Sequence, residues 1–424
     1  MIQNSSGARP TWLNGYRREP RIFTRKRSSN LNTVVPRFST LTTKGDSVVL
    51  NTTENLTSKN GYNSSNHKIC VPLDIPRVHV QLQKRNNIFT VLRFILASIV
   101  IMQHSYYLID GDSRNDPLNT VFGTLTSGDM AVDLFFILSG YLITASWLRR
   151  PNFKNYLKSR ILRIHPGFCV AAILSMLVAA VQSKSGFMDY IDSIHMSKFL
   201  AGLPLLETLG LPKSVNASLW SVAYEFRMYL LVPILGYLGI LNHSWRVASL
   251  ALLVSLYWCF GSVPSRLPGP GINFLVINPS IFLRGTTMFL WGSWFYSNYE
   301  KIPRRHMVFI AAALTLPLVL YFQVGRKIFL APIAGFLFIS MGLTNSNKFS
   351  RWLDQRDFTY GLYLYGWPVQ LICLNWLGPY KNVLTLSLLS IVFSSFVGYA
   401  SWKLVESPAI RFSSRNITKE SSRS

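Results

Sequence analysis

VLRFILASIVIMQHSYYLIDG, Val91 to Gly111, has the length and apolar content of a membrane span, broken only by Arg93 near its start and His104 near its end. A span needs about 20 largely apolar residues. An ionisable side chain at the centre of such a helix costs on the order of 2.5 to 3.5 kcal/mol, so Arg93 and His104 must face protein rather than lipid. They are eleven residues apart, about 1100° of helical rotation, which puts them on one face roughly 16 Å from each other. The first span therefore carries one polar wall.

Working outward, nine further apolar runs follow, near residues 130–148, 167–183, 219–241, 247–263, 280–297, 307–324, 328–344, 358–377 and 383–405. The 424 residues are 49% hydrophobic and 14% charged, where a soluble domain is about a quarter charged. The chain reads as an all-α polytopic transmembrane helical bundle of about ten spans, residues 85–412. A disordered basic cytoplasmic tail is expected over 1–84, rich in Ser, Asn, Thr and Arg, and a cytoplasmic C-terminal tail over 413–424. No cleavable signal peptide is expected, since no apolar core follows Met1.

The formal charge of +25 is a topology signal, with no nucleic-acid partner expected. Of the 43 Lys and Arg, 14 lie in the first 87 residues, and most of the others cluster in alternate short loops such as 149–166 and 345–357. That asymmetry places both termini in the cytoplasm, as in a bacterial inner membrane. Cys169, Cys259 and Cys373 lie in apolar runs and Cys70 stands alone, so neither a metal site nor a disulfide framework is expected.

Six ionisable residues fall within the runs: Arg93, His104, Asp133, Glu225, Arg227 and Arg284. The alternation of spans places His104, Asp133, Glu225 and Arg284 in the outer half, on four helices at one depth. Such a set is a site candidate, against the plainer reading of structural ion pairs. His104, the only histidine placed inside a span, suits a general base, with Asp133 or Glu225 to fix its tautomer. Arg227 points elsewhere and is read as a helix-packing or lining residue. On the inner face Arg160 and Arg163, spaced i, i+3, suit the phosphates of a nucleotide-bearing donor; orientation and anionic-lipid contact are the competing reading.

These motifs resemble the membrane-bound acyltransferase-3 family, which includes bacterial O-antigen and nodulation-factor O-acetyltransferases. RFILASIVIMQH (93–104) matches its Arg-x10-His signature, and VDLFFILSGYLIT (132–144), SRILRIHP (159–166), LWSVAYEFRMYLLVPIL (219–235), FLWGSWF (289–295), YGLYLYGWPVQ (360–370) and LVESPAI (404–410) are similar to further family blocks in order. The resemblance implies ten spans, a cytoplasmic acyl-CoA co-substrate with acetyl-CoA as the default, and O-acylation of a polysaccharide, lipopolysaccharide or glycolipid at the cell surface. It carries onto Arg93, His104, Arg160, Arg163 and Glu225 through their motifs, and onto Asp133 through the Val-Asp-x-Phe-Phe position. Two departures are the basic N-terminal tail and the expected lack of the extracytoplasmic domain fused to some members.

The expected mechanism has the donor's phosphates at Arg160 and Arg163, its arm passing Arg93, and His104 deprotonating an acceptor hydroxyl. Arg284 would steady the acceptor or the oxyanion. Direct attack is preferred to an acyl-enzyme, Ser139 being read as a small packing residue. The alternative is a proton-coupled secondary transporter or exporter built on the same ionisable residues; no inverted repeat supports it.

Overall fold

The computed structural model describes residues 87–412 without 124, 213–214, 265–277 and 299–305, and the backbone alone of 37–44, 47–58 and 61–72. The chain divides into two units, Met1–Pro76 and Arg77–Ser424.

In the first unit β1 (Arg37–Lys44), β2 (Ser47–Ser58) and β3 (Gly61–Pro72) pair antiparallel in the order β1-β2-β3. The sequence reading anticipates no regular element in this stretch. The register gives the physical reason for one. Lys44 pairs with Ser47 and Ser58 with Gly61, so neighbouring strands return directly on one another, and Val48, Val49, Thr52 and Thr53 give β2 a run of strand-forming residues. The rest of the expected N-terminal tail, and the C-terminal tail, lie outside the described residues.

In the second unit every regular element among the described residues is helical. The main helices are α1 (Phe89–Asp110), α3 (Ser127–Arg149), α4 (Phe153–Val181), α7 (Leu219–Tyr237), α8 (Ser244–Phe260), α9 (Pro279–Ser297), α10 (His306–Tyr321), α11 (Gln323–Gly342), α13 (Thr359–Leu377) and α14 (Val383–Ser401). Short helices α2 (Pro117–Phe122), α5 (Phe187–Asp192), α6 (Met196–Gly202) and α12 (Lys348–Gln355) sit in the connections. Every one of the ten apolar runs is helical. Among the described residues, five helices are long and apolar enough to cross a membrane: α1, α3, α4, α11 and α14 with its continuation to Phe412. Leu314, Leu318, Leu388 and Phe396 are exposed on this unit, which suits a surface solvated by acyl chains.

One boundary departs from the sequence reading. The third span was expected to begin at residue 167, but α4 starts at Phe153, where the Asn152 side chain accepts from Asn155 N at 3.0 Å, and it runs on through Pro166. A proline removes one rung of the hydrogen-bond ladder without removing its neighbours. His165 is therefore helical as well, and His104 is not the only histidine inside such a segment.

Helix packing sets the levels of everything else. The α3–α9 crossing is as close as backbones allow, because a Cβ on Gly140 would stand 2.0 Å from the Phe289 carbonyl oxygen and one on Gly292 would stand 2.0 Å from that of Ile137. Helix α1 runs antiparallel to α3. Phe89 meets Tyr141 with ring centroids 5.5 Å apart, and a Cβ on Gly128 would strike the Gln103 side chain. Those two contacts fix the register, so Ser139 is level with the start of α1 and His104 is level with the start of α3. Buried Gln370 ties α13 to α1 by donating to Ile101 O and Ser105 Oγ, each at 2.8 Å.

Candidate active site

The four residues expected at one depth, His104, Asp133, Glu225 and Arg284, do not form one layer. The α1–α3 register places the level of Ser139 about 18 Å from that of His104, at 1.5 Å per residue. Ser139 Oγ donates to Glu225 Oε1, and Tyr229 OH donates to the same oxygen at 2.6 Å. Glu225 thus shares the Arg93 level rather than the outer one. The expected depth was misjudged because a residue's distance from a span end says nothing of how far that helix is shifted against its neighbours.

Asp133 and Arg284 are committed to each other. Arg284 Nε donates to Asp133 Oδ1 at 2.7 Å and Nη2 to Oδ2 at 3.0 Å, while Nη1 donates to Asp129 Oδ1 at 3.0 Å. This fork clamps α9 to α3, and it occupies both Asp133 oxygens. His104, nine-tenths buried, has a ring Nδ1 with no hydrogen-bond partner and meets the Trp367 ring edge-on at 5.1 Å. Neither carboxylate expected to orient it is bonded to it. Arg227 is the packing residue the sequence suggests: it pairs with buried Glu207 and donates to Leu205 O at 3.2 Å, holding the segment before α7.

The arginines expected on the donor side do converge. Arg93, Arg160, Arg163 and Arg149 line a cavity of about 400 Å³, together with Asp357, Glu225, Ser139, Ser221, Tyr229 and Tyr363. Its wall on α3 runs from Arg149 to Val132, about 26 Å of helix. Apolar Phe135, Leu142 and Val222 make up much of the remainder, giving a sleeve with one basic end.

Asp357 organises that end. Its Oδ2 accepts from Arg163 Nη2 at 2.5 Å and lies 3.6 Å from Arg93 Nη1. Burial pushes this carboxyl upward, but the guanidinium groups of Arg93 and Arg163 and hydrogen bonds from Arg163 and Thr359 outweigh it and hold the group well below the usual carboxylate range. Arg160 has no carboxylate partner among the described residues, and Arg93 Nε is buried without a hydrogen bond. Four guanidinium groups face two carboxylates here, a net positive hollow suited to phosphates.

At the other end the sleeve approaches His104. Tyr363 lines the cavity, and Trp367, which touches His104, is one turn further along α13. Asp357, Tyr229 and Tyr363 are lining residues beyond those expected from the sequence, and Ser139 is a hydrogen-bonding residue of the site rather than only a small packing residue. Asp357 precedes a span within a basic loop, and that placement was its one available signal. No group of His, Cys, Asp and Glu suited to a metal occurs among the described residues.

A family model described as an acyltransferase domain matches residues 86–402. An O-acetyl transferase of Shigella phage Sf6 is 27% identical over 346 residues, covering 79% of this chain and 98% of that protein. Nodulation protein 10 of Rhizobium leguminosarum bv. viciae is 25% identical over 356 residues, 77% of this chain and 94% of that one. A Bacillus subtilis (strain 168) protein provisionally named a peptidoglycan O-acetyltransferase is 27% identical over 296 residues, 58% of this chain and 45% of that one. No solved structure matches.

Proposed function

Because the chain belongs to this acyltransferase family and is a membrane O-acetyltransferase by its relatives, we propose that it moves an acetyl group from cytoplasmic acyl-CoA to a hydroxyl of a cell-surface glycan or glycolipid, across the bacterial inner membrane. The observation that carries the reading is the sleeve itself, which leads from a four-arginine end to Tyr363, one turn of α13 short of the Trp367 ring that packs on buried His104. Its ten helices are then the spans, with both termini in the cytoplasm.

In this reading the donor's phosphates lie on Arg160 and Arg163, and its arm extends past Arg93 along the apolar wall of α3. The polar set at the Arg93 level, Ser139, Glu225 and Tyr229, faces the arm and holds it in register. The acceptor arrives at the other end. His104 takes the proton of the acceptor hydroxyl as the new oxygen–carbonyl bond forms. The carbon–sulfur bond breaks, and the proton leaves with the CoA thiolate. Asp133 and Arg284 serve the site by fixing α3 against α9, the wall along which the arm runs.

This arrangement gives a physical reason for burying ionisable groups in spans. Donor and acceptor stay on opposite faces, and only the acyl group crosses. The test is purified protein with radiolabelled acetyl-CoA and extracted envelope glycans. Label appears in glycan with the wild type and is lost with His104→Ala; equal labelling by the variant removes His104 from the role. Solute movement without thioester consumption returns the transporter reading.

A further inference from the structure

Helix α12 (Lys348–Gln355) has two faces. Ser350 and Leu353 are buried against the bundle, whereas Phe349 and Trp352 are 52% and 46% exposed. The two exposed rings stack, with centroids 6.3 Å apart and planes 14° from parallel. Lys348 and Arg351 are exposed on the same helix, and the Arg356 guanidinium lies 4.8 Å from the centre of the Trp352 ring. At 100° per residue the aromatic pair forms one flank and Lys348 and Arg351 the other, opposite the buried pair.

The position of α12 says what lies outside it. It connects α11 to α13, and Asp357, two residues past its end, pairs with Arg163 at the basic end of the sleeve. A short helix between two membrane helices, with an aromatic flank and a cationic flank, has the makeup of an interfacial element. Aromatic rings settle at the boundary of the acyl chains, and Lys and Arg are drawn to anionic headgroups.

We propose that α12 is a lipid-recognition surface: Phe349 and Trp352 sink into the leaflet on the Arg163 side, and Lys348, Arg351 and Arg356 bind the phosphates of anionic phospholipids. The contact reaches the sleeve through rings. Trp352 meets Phe358 at 6.4 Å, and Phe358 meets Phe94 at 6.3 Å, so the neighbours of Asp357 and of Arg93 are joined. Lipid held on α12 keeps the 356–358 segment, and with it the Asp357 carboxylate, against Arg93 and Arg163. The lipid contact itself does not depend on the transferase reading; its consequence for the donor does.

The experiment uses the full chain in nanodiscs of zwitterionic lipid alone or of the same lipid mixed with phosphatidylglycerol, and reads amide hydrogen exchange over residues 348–356 with α3 as the folding control. Exchange is expected to slow roughly tenfold in the anionic discs, and to return to the zwitterionic level in Lys348→Gln/Arg351→Gln/Arg356→Gln. Equal exchange in both discs overturns the proposal, as does protection that the triple variant retains. Oxidative cross-linking of Trp352→Cys into dimers in most discs would assign the face to a second copy instead. The triple variant is further expected to raise KM for acetyl-CoA severalfold at unchanged kcat; an absence of transferase activity would leave the exchange result standing.

Discussion

Glu225 stands about 18 Å below His104 along the axis of α1, because it is bonded to Ser139 at the level where α1 begins, whereas His104 is level with the first turn of α3. The two cannot act on one proton. In the proposed reaction the site is therefore divided into a donor half around Arg93, Glu225 and Asp357 and an acceptor half around His104, and each half makes separate demands on a mutant.

His104→Gln keeps the bulk of the ring's neighbourhood but removes the proton acceptor. Loss of a general base lowers kcat by about 10² to 10⁴-fold, while CoA binding, measured by calorimetry on detergent-solubilised protein, stays unchanged. A variant that loses CoA affinity but keeps kcat would move His104 into the donor half.

Arg160→Ala and Arg163→Ala are expected to act the other way, on KM for acetyl-CoA. A hydrogen bond to a charged group is worth about 1.5 to 3 kcal/mol, so KM rises by roughly one to two orders of magnitude. Arg163→Ala also leaves Asp357 with one cationic partner among the described residues, Arg93 at 3.6 Å, beside its hydrogen bond from Thr359. Identical saturation curves for wild type and both variants would empty the proposed phosphate site.

The charge on Asp357 sets a pH expectation. Its folded value is held below that of an unfolded aspartate, near 3.9, so the stability it contributes is fully present above that unfolded value and is lost as pH falls through the folded one. The difference in thermal midpoint between wild type and Asp357→Asn is accordingly constant from about pH 5 to 8 and shrinks only in stronger acid. A difference that changes around neutrality would show that the arginines do not hold the carboxylate.

Arg284→Met separates a clamp from an acceptor ligand. Removing the guanidinium leaves the Asp133 carboxylate, 3% exposed, unpaired, a loss of about 3 to 5 kcal/mol. Asp133→Leu/Arg284→Met should regain much of it, as seen by thermal unfolding in detergent. If the single variant melts like wild type and instead raises KM for the acceptor, Arg284 binds substrate.

Gly140→Val and Gly292→Val test the α3–α9 crossing. Each side chain would enter the opposing backbone, so both variants unfold at lower temperature, by the 1 to 3 kcal/mol typical of overpacking or more. Wild-type stability in either would mean that the helices are further apart than described.

Hydrophobic run length alone specified the helices of the membrane unit, because a chain in lipid has few ways to satisfy its backbone. The Arg93–His104 wall and the Arg160–Arg163 pair were legible too, since both follow from the helical repeat within one element. Relations between elements were not. The bond from Ser139 to Glu225, the salt bridge from Asp357 to Arg163 and the fork of Arg284 on Asp133 each join residues that are 86 to 194 positions apart. Each depends on how far one helix slides against the next. Small residues such as Gly140 and Gly292 set that sliding through close packing, which leaves no periodic mark along the chain, so only the folded bundle decided which charges met.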